Sequence, residues 1–131
     1  MQPDDSKLTL SILPLTFAVC RLDRDAAIPD WATGGRFFSI TRTEDELSIV
    51  CSQNGVPEEV KCERGWRCFK VEGPLDFSLT GIMASLAAPL AEARINMLAI
   101  ATYDTDYLMV KEVNLESAIR VLTEAGHSIH R

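Results

Sequence analysis

The chain has 131 residues, a formal net charge of −6 and a sequence pI near 4.8. Its thirteen basic residues are scattered with no run of three, which excludes nucleic acid as an expected partner, because phosphates select clustered Lys and Arg. A hydrophobic content of 47% with 24% charged residues excludes disorder and allows one substantial core, or two small ones sharing an interface.

Residues 1–7 are polar and are expected to fray. Leu8 to Val19 is apolar enough to be mistaken for a secretory segment. Its flank carries Asp4 and Asp5 rather than basic residues, and Leu8, Leu10 and Ile12 alternate with Thr9 and Ser11. That is strand patterning, so two strands are expected, 8–13 and 15–22, divided by Pro14. No apolar run reaches transmembrane length, which implies no membrane partner and a cytoplasmic location.

Asp23 to Gly35 reads as a loop with Pro29 and Gly34-Gly35, holding one helical turn around Trp31. Strands 37–42 and 46–51 flank the acidic turn Thr43-Glu44-Asp45. Asn54-Gly55 opens a connector in which Pro57 to Val60 can form a short helix. Trp66 to Glu72 is the next strand, closed by Gly73-Pro74.

A helix near 80–93 places Ile82, Met83, Leu86, Leu90 and Ala93 on one face, with Ser78 or Thr80 as its cap. Pro89 falls inside that pattern and should kink the helix or split off its last turn. Ile95 to Ala101 is almost wholly apolar, as expected of a central buried strand. Tyr107 to Lys111 pairs back across the hairpin Thr102-Tyr103-Asp104-Thr105-Asp106. The last helix has Asn114 as its cap, Glu116 in its first turn and Gly126 at its stop. Its inner stripe is Leu115, Ala118, Ile119 and Leu122, with Glu116 and Arg120 at i and i+4 outside, and a short strand closes the chain.

An internal repeat at a spacing of sixty needs no gap. Phe38-Ser39-Ile40-Thr41 lies over Leu98-Ala99-Ile100-Ala101, Leu47-Ser48-Ile49-Val50 lies over Tyr107-Leu108-Met109-Val110, and Glu46 falls on Asp106. In that alignment Arg42 and Thr43 stand at the Thr102 and Tyr103 positions, so no second copy of the hairpin motif is expected. The first unit, with a shortened first helix, reads as a worn copy of the second.

Ala88-Pro89-Leu90-Ala91-Glu92 followed by Thr102 to Val110 resembles the ACT domain. It is most similar to the ACT pairs of the CASTOR arginine-sensor family and of the regulatory tail of aspartate kinases. Phe37 to Thr41 with Glu44-Asp45 resembles the matching stretch of a sensor's first ACT unit. The resemblance spans most of 8–126. It implies an α+β fold of two ferredoxin-like βαββαβ units packed side by side, the first degenerate. The boundary falls near residue 62, giving units 1–61 and 62–131, with strands possible to exchange between them. Whether strand 8–13 completes the first unit or crosses to the second is left open.

ACT units bind amino acids at interfaces and regulate rather than catalyse. Carried over by position, the resemblance marks Asn96 and Met97, then Thr102, Tyr103 and Asp106, with Gly81 and Ile82 at the helix start. One pair of units would need a homodimer to rebuild a four-unit sensor. The expected ligand is a free amino acid or a close analogue, and any output must pass through a separate regulated protein. No side-chain pocket selecting arginine can be identified.

A zwitterion needs partners at both ends, since burying either charge alone is costly. Asp106 can pair with an ammonium, with Thr102 adding an acceptor. Backbone N–H groups around Thr80, Gly81 and Ile82 can hold a carboxylate, and Tyr103 can cover apolar parts of the ligand. The competing reading makes Asp104 and Asp106 solvated turn residues and Gly81 a packing glycine, while Trp31 and Trp66 belong to the core.

Catalysis fails on inventory. Both histidines, His127 and His130, lie beyond Gly126, so Ser39, Ser48, Ser52, Ser78 and Ser85 are expected to lack a histidine partner, and cysteine–histidine chemistry meets the same objection. Gly34-Gly35 is too short to cradle phosphates, and no phosphate-loop motif occurs. The four cysteines form no C-x-x-C pair and read as reduced core thiols, so no metal or other cofactor is implied. The expectation is a non-catalytic amino-acid sensor. Its alternative is a ligand-free pair kept for assembly.

Overall fold

The computed structural model describes residues 7–73 and 81–131. Its strands are β1 (Thr9–Leu22), β2 (Phe38–Arg42), β3 (Leu47–Ser52), β4 (Cys62–Val71), β5 (Met97–Ala101), β6 (Asp106–Lys111) and β7 (Ser128–His130). Its helices are α1 (Ile82–Glu92) and α2 (Leu115–Glu124). The residues gather into two compact units. The first is Leu15–Trp66, and the second joins Met1–Pro14 to Arg67–Arg131. The fold is α+β and ferredoxin-like in both. The expected caps Ser78 and Thr80, the closing Pro74 and the polar residues 1–6 lie outside the described residues.

Pro14 does not divide β1, which runs unbroken from Thr9 to Leu22. Proline's fixed φ suits an extended chain, and its cost in a sheet is one missing donor. That donor is not called for on one side of the strand. β1 pairs with β7 over Thr9 to Ser11 and with β3 over Phe17 to Leu22, and Pro14 falls between.

In the first unit the strand order is β2-β3-β1-β4, the order of a βαββαβ unit. Neither helix has formed. Residues Asp30–Ala32 and Gln53–Gly55 make single 3-10 turns instead. The short helix expected at Pro57 to Val60 is one tight turn, Val60 N–H donating to Pro57 C=O at 3.3 Å. There is no room for more, because the Lys61 carbonyl already accepts from Arg21 N–H and β4 begins at Cys62.

Arginines satisfy carbonyls that helices would have bonded. Arg42 donates to the Arg24 carbonyl and to that of Ala26 (2.8 Å), and Arg24 donates to Glu44 C=O. Arg64 donates to the carbonyls of Gln53, Val56 and Pro57 at 3.1–3.2 Å. Inside lie Ala18, Cys20, Leu47, Ile49 and Cys51, covered by Ala32, Trp31 and Val56.

In the second unit the order is β7-β1-β4-β6-β5. A closed βαββαβ unit would pair its last strand with its first, β7 with β4. Here residues from β1 stand between them. Thr9 accepts from Glu72 N–H at 2.8 Å on one side and pairs with Ser128 on the other. The core is Leu10, Phe69, Val71, Leu108 and Val110 from the sheet, under Leu86, Leu90, Leu115, Ala118 and Leu122 from the helices.

β5 is not central. Among the described residues it forms the edge of its sheet and pairs with β6 alone, with Ala99 and Ala101 exposed. Its apolar run misled because alanines on the core-facing side are too short to count as core.

Glu116 does not pair with Arg120. It bonds Arg131, and Arg120 turns one step onward to Glu124 at 3.9 Å.

Both helices end in the same backbone device, a residue of positive φ that lets two following N–H groups bond back into the last turn. In α2 this residue is Gly126 (φ 104), with Gly126 N–H to Thr123 and His127 N–H to Leu122. In α1 it is Arg94 (φ 60), with Arg94 N–H to Ala91 and Ile95 N–H to Leu90. A side chain there costs about 1 kcal/mol or more. Arg94→Gly is therefore expected to raise stability by about 0.5–1 kcal/mol, read as a higher denaturation midpoint at unchanged slope.

α1 also carries Pro89 in its interior and still continues to Glu92. Proline leaves the carbonyl four residues back, that of Ser85, without its helical donor. His127 supplies one. Its Nε2 lies 3.0 Å from the Ser85 carbonyl while its Nδ1 accepts Leu8 N–H at 3.1 Å. The two bonds fix the tautomer with the proton on Nε2, and the ring is buried.

Candidate functional site

The hairpins of the two units are built alike. Thr102 N–H donates to Thr105 C=O at 2.9 Å, and the Thr102 hydroxyl accepts Thr105 N–H. Thr43 makes the same pair with Glu46, at 2.9 and 3.2 Å. Arg42 pairs with Leu47 as Ala101 pairs with Asp106, so both loops hold four residues.

The repeat spacing is therefore fifty-nine, not sixty. Thr43 matches Thr102, Asp45 matches Asp104, and Glu46 matches Thr105. A second copy of the hairpin motif does survive in the first unit, as T-x-D-x. The slip arose because apolar strands align almost as well one residue out, while the turn hydroxyl that fixes the register is silent in a hydrophobic pattern.

Beside the second hairpin lies a cavity of about 170 Å³ lined by Lys70, Gly73, Thr102, Asp104, Thr105 and Tyr107. Lys70 is on β4 between Phe69 and Val71, whose side chains enter the core, so it projects from the other face. Tyr107 precedes the core residue Leu108 and projects the same way. Thr105 is buried and its hydroxyl donates to Val71 C=O at 2.6 Å, joining the hairpin to the end of β4. Lys70 and Asp104 make no hydrogen bond or ion pair with another described residue. A cation and a carboxylate thus border one small space, each without a charge partner among the described residues.

The residues marked by the sequence divide between this cavity and the helix face. Thr102 lines the cavity. Its hydroxyl donates to Thr105 C=O at 2.8 Å and accepts one N–H, leaving one lone pair for an ammonium. Asp106 does not line it. It alternates with Leu108 and Val110 and so faces the helices, half-buried and without a partner among the described residues. Met97 pairs with Val110 and packs on the core, and Asn96 is exposed just before it. Tyr103 is 82% exposed at the hairpin tip.

Gly81 is the residue before α1, with φ 77, and among the described residues no atom lies within 4 Å of where its Cβ would be. Its backbone conformation asks for glycine there. Ile82 is buried, and no described side chain caps the first turn. Sequence reasoning assigned no ligand contact to Lys70, Asp104, Thr105 or Tyr107. The one available signal was Lys70, a lysine set between two core residues of a strand.

An ACT domain family model matches residues 61–124, and a second family model, for an N-terminal domain, matches 16–59. The cytosolic arginine sensor for mTORC1 subunit 1 of Bos taurus is 31% identical over 98 residues, covering 66% of this chain and 30% of the sensor. Its Homo sapiens counterpart is 29% identical over 100 residues. The chain thus spans about 30% of the length of these relatives.

A crystal structure of an Agrobacterium tumefaciens protein superposes with a TM-score of 0.89 at 42% identity, covering 95% of this chain and 97% of that one. Aspartate kinase of Clostridium acetobutylicum shares the fold, with a TM-score of 0.67 at 10% identity over 95% of this chain and 36% of the kinase.

Proposed function

The chain belongs to the ACT domain family, and on that basis we propose that it is a non-catalytic regulatory protein that binds a free amino acid at the hairpin of its second unit. The observation carrying this reading is the cavity lined by Lys70 and Asp104, neither of which has a partner among the described residues. A zwitterion meets both needs there. Its carboxylate pairs with the Lys70 ammonium, its ammonium with the Asp104 carboxylate and the remaining lone pair of Thr102.

Asp106, with the first-turn N–H groups at Gly81 and Ile82, forms a second set on the helix face. Asn96, Met97 and Tyr103 complete the residues assigned to ligand contact. The relatives named as cytosolic arginine sensors support an amino acid as the ligand class and the cytoplasm as the location. Binding would act on a separate regulated protein by favouring the conformation that holds the ligand better.

A thermal-shift screen of the twenty amino acids tests this. A ligand bound only by the folded state, at a hundred times its dissociation constant, stabilises it by about 2.7 kcal/mol. That corresponds to a rise in Tm of roughly 8–10 °C for a domain of this size. Asp104→Asn and Lys70→Met are each expected to abolish the rise. Loss with Asp106→Ala alone would move the site to the helix face, and a flat screen would remove the sensor reading.

One observation favours a second reading, in which the pair serves assembly alone. Among the described residues β5 offers an unpaired, uncharged edge from Met97 to Ala101, of the kind proteins usually protect unless another strand pairs with it. A homodimer that persists by light scattering alongside a flat amino-acid screen would support that reading.

A further inference from the structure

Three cysteines from adjacent strands of the first unit enter one core: Cys51 on β3, Cys20 on β1 and Cys62 on β4. The strand register tells the two neighbours of Cys20 apart. Cys20 stands opposite Ile49 while Cys51 stands opposite Ala18, so Cys20 and Cys51 are diagonal. Diagonal Cα atoms lie roughly 7–8 Å apart, at or beyond the reach of a disulfide.

On the other side, Arg21 N–H donates to Lys61 C=O at 2.9 Å. That bond sets the next residues along, Cys20 and Cys62, directly across from each other as a non-hydrogen-bonded pair. In such pairs the Cα atoms are about 4.5 Å apart, within the range a disulfide spans. Exposure differs too. Cys20 and Cys51 are buried, and Cys62 is half-buried, so an oxidant in solution meets Cys62 first. Burial pushes the Cys20 thiol up to about 12, which keeps it protonated and inert until a neighbouring sulfur is activated.

We propose that Cys20 and Cys62 are a redox pair that a hydroperoxide converts into a cross-strand disulfide. The Cys62 thiolate attacks a peroxide oxygen. An S–O bond forms, the O–O bond breaks, and water leaves with the thiol's former proton, giving a sulfenic acid. The Cys20 sulfur then loses its proton and attacks the Cys62 sulfur. The S–S bond forms as the S–O bond breaks, and a second water departs. Two thiols are oxidised by two electrons in total and one hydrogen peroxide is reduced to two waters. A dithiol reverses the change by exchange. Cys51, diagonal to Cys20, stays a thiol.

The test treats the reduced full chain with one equivalent of hydrogen peroxide, blocks remaining thiols by alkylation, and maps peptides by mass spectrometry without reduction. A Cys20–Cys62 peptide is expected as the main product, lost on treatment with dithiothreitol, with Cys51 and Cys68 alkylated. Cys51→Ser should leave the link in place and Cys62→Ser should remove it. If Cys62→Ser does not fold, the wild-type map decides alone. A Cys20–Cys51 link, a link between chains, Cys62 oxidised to the sulfinic acid without a link, or four unchanged thiols would each overturn the assignment.

Discussion

Replacing His127 by alanine is expected to destabilise the protein by about 2–4 kcal/mol, because it strips partners from two backbone groups at once. The ring accepts Leu8 N–H at 3.1 Å and donates to Ser85 C=O at 3.0 Å, and it is buried. Removal leaves a donor and an acceptor unsatisfied in a site with little access to water. At roughly 3–5 °C per kcal/mol for a chain of this size, Tm should fall by about 10 °C.

The cause can be separated from simple loss of packing. Ser85 depends on His127 only because Pro89 has no N–H to offer it. In Pro89→Ala the helix regains that donor. Pro89→Ala should therefore be more favourable in the His127→Ala background than in the wild type, with a coupling of about 1 kcal/mol. Additive effects, within about 0.3 kcal/mol, would show that the histidine and the proline are unconnected.

Much of this fold could be read from residue order, and the misses share a physical origin. α2 was legible because its stripe and stop agree, although Asn114 makes no side-chain capping bond, and the structure buries Leu115, Ala118 and Leu122 as that stripe requires. The hairpins were legible as turns between apolar runs. What hydrophobic pattern cannot carry is which strand neighbours which. β5 is as apolar as a central strand and lies at an edge. β1 runs through Pro14 and comes between β4 and β7, a choice of partners made by distant segments.

Features that depend on one hydrogen bond were equally hidden. The spacing of the repeat is set by the hydroxyls of Thr43 and Thr102. His127 looked like a stray residue near the C-terminus until the proline gap in α1 gave it a partner. Lys70 and Asp104 come to one cavity from segments over thirty residues apart, with nothing local to join them. Cys20 and Cys62, read singly as core thiols, become a pair only once Arg21 is seen bonded to Lys61.

Gly126→Ala is expected to cost about 1–2.5 kcal/mol, from two sources that a second substitution can divide. The first is backbone strain. Gly126 has φ 104, further from the allowed regions than the ordinary left-handed helix, and no relaxation is available while its N–H bonds Thr123 and the next bonds Leu122. The second is space. A Cβ at this position would meet the Lys7 stem, with Cδ at 2.7 Å and Cε at 2.8 Å, because Lys7 lies across the glycine to donate to Ala125 C=O at 2.8 Å.

That lysine bond is exposed, so Lys7→Ala alone should cost under about 0.5 kcal/mol. In the Lys7→Ala background the steric part vanishes, and the Gly126→Ala penalty should shrink to the strain alone, about 1–2 kcal/mol. Chemical denaturation of the four proteins measures both parts. An unchanged penalty would assign the whole cost to the backbone. A penalty near zero would mean that the turn after α2 can adopt another conformation, and that His127 is not placed by it.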